Sequence, residues 1–306
     1  MTDCPVCRKP NASVLGPYRH THPALAGIQR ALCQRCGMVF AAPMPDPDAW
    51  VNYNSSYFDN AHGGVATDGV VTAFHSAINQ IRCAHVEMYL QEQQLAVASV
   101  FEVGPGGAEF AEKWLTENPS TAYHAIESDT ACHTRLATLG VHAIKDLGDL
   151  AEGTTFDLVV MSHVLEHVTD PVGFLAAMTA RLRPGGVIFI EVPCRDWEHK
   201  EQDEPHLLFF DKSPMEMLLK GAGFTCIQLS YHGQTIYSLR DRSLLRRAWN
   251  SLRGRLLATG IVAPFGSTRS LEMVDKPLER AAVRPFQAHI EHRDAAWWLR
   301  AVAIKP

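Results

Sequence analysis

The 306-residue sequence has no apolar run approaching the roughly 18 residues that suggest a membrane-spanning helix. Its first residues, MTDCPVC, lack the basic-then-apolar order of a secretory signal. Both absences point to the cytoplasm and to a chain with no membrane partner. Low-complexity tracts and internal repeats are missing too, which sets aside disordered and solenoid architectures. Nor is there an excess of positive charge. Lys and Arg number 28 against 33 Asp and Glu, a formal net charge of −5, so no global basic field attracts nucleic acid or an anionic membrane. What is present, at 46% hydrophobic and 20% charged residues, supplies a full core. The length leaves room for about two domains.

Residues 1–45 show little periodicity, are rich in Cys, Pro and Gly, and end in the breaker run Ala42–Pro47. Residues 46–95 bring an aromatic arm (Trp50, Tyr53, Tyr57, Phe58), a Gly-rich turn at 63–64, and a helix predicted over about 72–94. From 96 to 306 strands and helices alternate, the pattern of a parallel sheet with helices on both faces. Strands are expected at 97–103, 122–127, 141–145, 156–162, 187–192, 224–230 and from Trp297 to Ile304. Asp170 before Pro171 reads as a helix N-cap, and so does Ser213 before Pro214, with Glu216 completing a capping box. Gly185-Gly186 and Gly221/Gly223 read as helix stops. Residues 239–292 form a helical insertion before the last strand, with Leu245, Trp249, Leu252 and Leu256 on one stripe and a second helix at about 276–290.

Val-Phe-Glu-Val-Gly-Pro-Gly-Gly-Ala-Glu-Phe (100–110) is a strand, a Gly-rich turn and a helix start. Gly104 and Gly106 permit a sharp turn and close approach to a ligand, while the next helix offers free N–H groups. Glu102 suits the ammonium of an amino-acid moiety and would repel a phosphate, which favours S-adenosylmethionine over NAD. Glu127 ends the next strand, where a carboxylate can accept both ribose hydroxyls. The set EVGPGG, AIESD, FDLVVMSHVLEH and LRPGGVIFIEVP, in this order over roughly 97–230, resembles the class I S-adenosylmethionine-dependent methyltransferases. It is most similar to the bacterial branch of sugar and small-metabolite enzymes, many of which begin with paired CxxC motifs. The resemblance implies an α/β, doubly wound, seven-stranded and mostly parallel sheet whose last strand is antiparallel. It also implies cofactor contacts from Glu102, Gly104, Gly106, Glu127 and the Ser162-His163 segment, with Asp146-Leu147 near the adenine.

Cys4-Pro-Val-Cys7 and Cys33-Gln-Arg-Cys36 are two CxxC knuckles, which supply four thiolates for a tetrahedral Zn²⁺. With every position a ligand, the ion is structural. His20 and His22 read as surface residues. Cys83, Cys132, Cys194 and Cys226 are scattered, as buried free thiols are.

His163-Val-Leu-Glu166-His167 matches the H-x-x-E-H pattern of some zinc proteases, but it leaves a buried strand with no third ligand in view, so the match reads as coincidence. The resemblance instead places His163 beside the methionyl part of the cofactor and makes Glu166 and His167 supports of the loop. Asp203 to Phe210 follows the fifth strand. In related methyltransferases a histidine in this H-L-x-x-F context lies on the acceptor side. His206 is therefore the candidate general base, with a loop anchor as the alternative. Tyr53, Tyr57 and Phe58 either cover the cofactor or pack the arm on the core. Arg240, Arg242, Arg246, Arg247, Arg253 and Arg255 are either a solvated helix face or a clamp for a phosphorylated or nucleotide-linked acceptor. The expected activity is methyl transfer to a hydroxyl of a sugar, sugar-nucleotide or related small molecule. The alternatives are deoxysugar C-methylation, RNA methylation with the zinc module gripping RNA, and a non-catalytic cofactor-binding scaffold.

Overall fold

A computed structural model describes residues 3–54, 69–241, 243, 248–249, 252 and 274–306. Tyr57, Phe58, the turn at 63–64, Arg242, Leu245, Arg246, Arg247, Arg253, Arg255 and Leu256 lie outside the described residues. Trp249 and Leu252 are exposed.

The aperiodic N-terminal stretch contains three strands, β1 (Ala12–Pro17), β2 (Gln29–Cys33) and β3 (Val39–Ala42). They pair antiparallel, and β1 carries a register shift between Val14 and Gly16. Helices α1 (Pro47–Asn54) and α2 (Gly69–Glu92) lead to the core.

The core is one sheet built from β4 (Ser99–Val103), β5 (Ala122–Ile126), β6 (His142–Ile144), β7 (Phe156–Ser162) and β8 (Leu182–Pro193). A two-residue strand, β9 (Leu208–Phe209), leaves this sheet and pairs with β3, so the core supplies the fourth strand of the N-terminal sheet. The remaining strands are β10 (Thr225–Thr235), β11 (Glu291–His292) and β12 (Ala296–Ile304). The order is β11-β10-β12-β8-β7-β4-β5-β6. Strands β6, β5, β4, β7 and β8 are mutually parallel, and β12 runs antiparallel to both β8 and β10. This is the expected mostly parallel sheet with a reversed last strand, extended at one edge by the short β11.

Burial on both faces explains the apolar runs. In β7, Val159 and Met161 pack on one side with Phe101 and Phe156, continuous with Val39 and Phe40 of the N-terminal sheet. Leu158 and Val160 point to the other side, against Tyr89 and Trp114. Tyr89 lies in α2 and Trp114 in α3 (Glu109–Glu117).

Helix α4 (His133–Thr138) follows β5, and α5 (Pro171–Ala180) starts where expected. The Asp170 carboxylate accepts from the Gly173 N–H at 3.1 Å, and Pro171 occupies the first turn. Helix α6 (Lys212–Gly221) begins earlier than the sequence suggests. Its cap is Asp211, which accepts from the Lys212 N–H, so Ser213 and Glu216 form no capping box. Its end is as read: Gly223 has φ +87°, with bonds from Gly223 to the Lys220 carbonyl and from Phe224 to the Leu219 carbonyl. Gly185-Gly186 does not end a helix, because α5 has already closed at Ala180 and both glycines lie in β8. Cys226, expected to be buried, is exposed. Strand β10 runs on to Thr235, past the expected 230, and leads directly into the short α7 (Ile236–Arg240); within the insertion, α8 (Pro277–Val283) is also short.

Candidate active site

The sheet order reverses between β4 and β7, since β5 and β6 extend one way and β8 the other. A crevice opens outside the carboxyl ends of the strands at such a switch point. Here it is a cavity of about 480 Å³ whose walls include Trp50, Gly104, Gly106, Glu127, Ser128, His163, His167 and Phe174.

The turn after β4 needs its glycines. Gly104 has φ +66° and Gly106 φ +53°, and a Cβ on Gly104 would stand 2.8 Å from Val164 Cγ2. The Glu127 carboxylate holds the turn, accepting from the Gly106 N–H at 3.0 Å and from the Asp129 N–H at 2.8 Å. Burial raises the pKa of Glu127 against these bonds.

Of the residues singled out in the sequence, Gly104, Gly106, Glu127 and His163 thus meet at the cavity. Glu102, Ser162, Asp146, Leu147 and His206 are not in its walls. Glu102 is buried and accepts from the Tyr123 hydroxyl at 2.7 Å, and burial pushes its pKa up to about 7. Ser162 Oγ is buried with no hydrogen-bond partner among the described residues. Asp146 caps the single turn Leu147–Asp149 by accepting from the Gly148 N–H at 2.7 Å. Tyr53 is buried, stacked on Trp50 with centroids 4.7 Å apart, so it packs the arm onto the core.

Behind the cavity lies a buried polar network. His163, held at φ +57°, has Nδ1 3.2 Å from Glu166 Oε1 and Nε2 3.5 Å from Glu191 Oε1. Burial opposes its charge, but the two carboxylates prevail and raise its pKa. Glu191 in turn receives Arg82 Nε at 2.8 Å and Arg300 Nε at 2.6 Å. His167 Nδ1 lies 3.2 Å from the Pro205 carbonyl, which can only accept, so that nitrogen carries the proton. Burial lowers the His167 pKa to about 3. The His206 ring meets His167 edge-on at 4.9 Å, and its Nδ1 is 2.6 Å from Asp196 Oδ2. Burial alone would raise the pKa of Asp196, yet His206 and Lys200 hold it far below the carboxylate range. The Asp196–His206 pair, the Arg82–Glu191–Arg300 triad and the role of Trp50 in the wall were not anticipated. Glu191 and Arg300 each interrupt an apolar strand run, and they face each other across β8 and β12.

The N-terminal segment, from the end of β1 to α1, presses on this network. Trp50 Nε1 donates to the His167 carbonyl at 2.6 Å, the Tyr18 hydroxyl to the His206 carbonyl at 2.9 Å, and the Ala41 N–H to the Leu207 carbonyl at 2.8 Å. At the far end of the same sheet the sulfurs of Cys4, Cys7, Cys33 and Cys36 lie within 4.8 Å of one another. The Cys4–Cys36 and Cys7–Cys33 sulfur separations are 3.6 and 3.5 Å, close to the roughly 3.8 Å that a tetrahedral site with ~2.3 Å Zn–S bonds requires. Both knuckles turn alike. Arg8 (φ +56°) and Gly37 (φ +77°) return their N–H groups to the carbonyls of Cys4 and Cys33. The donor set fits zinc.

A doubly wound sheet with an antiparallel last strand, a glycine turn after the first core strand and an acidic residue directly after the second are the marks of a class I S-adenosylmethionine-dependent methyltransferase domain. The family model described as "Methyltransferase domain" matches residues 77–229, half of the chain, and the chain belongs to that family. Among curated relatives, the chain is 31% identical over 130 residues to the ubiquinone biosynthesis O-methyltransferase of Xanthomonas euvesicatoria pv. vesicatoria, covering 40% of this chain and 53% of that protein. It is 34% identical over 100 residues to the protein of that name from Parvibaculum lavamentivorans, covering 29% and 38%. The chain thus spans about half the length, or less, of these relatives. Among solved structures it resembles a plantazolicin methyltransferase bound to a desmethyl analogue and S-adenosylhomocysteine, at TM-score 0.51, 12% identity and coverage of 84% of this chain and 96% of that one. It also resembles the Haemonchus contortus phosphoethanolamine N-methyltransferase 2 bound to S-adenosyl-L-methionine, at TM-score 0.50, 14% identity and coverage of 88% and 63%. These last two likenesses show the fold. No described helix is long and apolar enough to cross a membrane.

Proposed function

We propose that the protein transfers a methyl group from S-adenosylmethionine to a hydroxyl of a small cytoplasmic metabolite, a sugar, sugar-nucleotide or related compound. The observation that carries this is the cavity at the switch point, bounded by the Gly104–Gly106 turn, the Glu127 carboxylate and His163. The names of the curated relatives support transfer to oxygen. The cofactor fits the residues that line the cavity: about 480 Å³ lies within the usual size of small-molecule sites, and Gly104, Gly106, Glu127 and His163 meet there. Gly104 and Gly106 would admit the methionyl part, Glu127 would take the ribose hydroxyls, and Glu102 and Ser162-His163 would surround the amino-acid end. Asp146-Leu147 would border the adenine.

The cofactor supplies a methyl group activated on a sulfonium, so the chain's task is orientation and removal of the acceptor proton. His206 is the proposed base. Asp196 fixes its Nδ1–H tautomer and leaves Nε2 to accept a proton. His167, in contact with both the cavity and the His206 ring, would lie between them. Residues 1–45 are proposed to be a zinc-binding module, held by Cys4, Cys7, Cys33 and Cys36, that braces the loop carrying His206. Residues 46–95 are the connecting arm and helix, and 96–306 the methyltransferase core. The test is transfer of label from methyl-labelled S-adenosylmethionine to a metabolite extract. Label in a hydroxyl of a small molecule is expected, and label in RNA or in nothing would reject the proposal.

A further inference from the structure

A second cavity, also about 480 Å³, is lined by Arg19, Arg30, Arg195, Trp197, Glu198 and Arg240. Its four arginines come from three distant stretches: the N-terminal sheet, the turn after β8 and the end of α7. Convergence of this kind places four guanidinium groups and one carboxylate in a single wall, in a chain whose net charge is −5. Three carboxylates hold the four cations: Glu198, Asp203 and Asp211, whose Oδ2 stands 3.6 Å from Arg195 Nη1. Glu198 bridges two of them, with Arg195 Nε at 2.5 Å on one oxygen and Arg240 Nη1 at 3.2 Å on the other. Asp203, fully buried behind the wall, lies against Arg19 and stands 3.5 Å from Arg30 Nε. Arg19 is further fixed by the Trp197 and Lys200 carbonyls at 2.6 and 2.8 Å, and the Arg30 guanidinium lies 5.4 Å from the centre of the Trp197 ring.

Guanidinium forks that are already immobilised lose little freedom when they bind, and their geometry matches phosphate oxygens two at a time. A diphosphate also offers the four guanidinium groups more acceptor oxygens than a lone carboxylate does. Arg195 directly precedes Asp196, the residue that holds His206, so the cavity would adjoin the acceptor side if His206 is the base proposed above. We infer that this cavity binds a diphosphate group and is the anchoring subsite for a nucleotide-linked acceptor. The nucleotide-linked part rests on the methyl-transfer proposal above, while binding of the diphosphate stands on the cavity alone.

The experiment is calorimetric titration of the full chain with inorganic pyrophosphate and, separately, with a nucleoside diphosphate. Each is repeated on Arg195→Gln/Arg240→Gln, which changes two half-exposed or exposed side chains and keeps an amide donor beside Glu198 at each place. Binding of S-adenosylhomocysteine, measured in parallel, reports whether the cofactor site is intact. The double variant should weaken pyrophosphate binding about tenfold or more, through lost charge-assisted bonds, and leave S-adenosylhomocysteine binding unchanged. A nucleoside diphosphate that binds more tightly than pyrophosphate, through the same arginines, identifies the nucleotide as the source of the anion. Wild type that ignores both anions, or a double variant that binds them as well as wild type does, overturns the inference. Loss of S-adenosylhomocysteine binding by the wild type would instead count against the methyltransferase proposal.

Discussion

Glu127 carries two jobs that a single substitution separates. Its carboxylate accepts the Gly106 and Asp129 N–H groups at 3.0 and 2.8 Å, and the same group borders the cavity where the ribose would lie. Glu127→Ala removes all of these acceptors. A hydrogen bond has a net worth of roughly 0.5–1.5 kcal/mol, so two to the ribose hydroxyls are worth about 1–3 kcal/mol, and an unmet buried partner costs a similar amount. The Gly106 N–H borders the cavity and can turn to water, whereas the Asp129 N–H is buried and is left unmet, so the loss is shared between the turn and the cofactor. About 1–3 kcal/mol is expected, which is roughly five- to 150-fold in the dissociation constant. Glu127→Gln keeps one acceptor oxygen and should fall between wild type and Ala. The assay is calorimetric titration with S-adenosylhomocysteine, with circular dichroism to confirm folding. A folded Ala variant that binds as wild type does would refute the placement of the ribose.

Elemental analysis should find about one zinc per chain, and Cys33→Ser should lose it; metal-free protein never exposed to chelator would remove the zinc module. His206→Ala should lower the chemical rate roughly 10²–10⁴-fold while sparing cofactor affinity, and Asp196→Asn should shift the pH profile of the rate. If His206 is an anchor only, the His206→Ala rate will follow the folded fraction. Glu102, with a folded pKa of about 7, keeps a proton that the unfolded chain has lost between about pH 4.5 and 7. Stability should therefore fall as pH rises through that window and level off above it. Glu102→Gln should flatten this slope in thermal melts at pH 5 and 8, and an unchanged slope would show that the carboxyl ionises freely.

The core was legible because its strands are buried on both faces, so Val97 to Val192 announces itself as apolar runs separated by turns. The Asp170-Pro171 cap was equally plain, since both residues act locally. Ser213 misled because its motif is also local, while Asp211, two residues earlier, makes the actual cap and is also bonded by Tyr231. The N-terminal sheet could not be read from residues 1–45. Its strands are short, and one partner, Leu208–Phe209, lies far along the chain, where a two-residue strand leaves no periodic signal. The same distance hides the cationic cavity. The Arg-rich stretch drew attention to residues 240–255, yet Arg19, Arg30 and Arg195 join Arg240 only through the fold. Glu191 and Arg300 were visible as charges inside apolar strands, a pattern that points to a buried pair once the two strands are known to be neighbours.

The central claim is that the switch-point cavity holds the methyl donor, and a crystal structure with S-adenosylhomocysteine tests it most directly. The ligand is predicted to lie between the Gly104–Gly106 turn and the His163–His167 segment, with both ribose hydroxyls on Glu127. A ligand bound elsewhere, or one in the cavity with its ribose turned away from Glu127, would contradict the account.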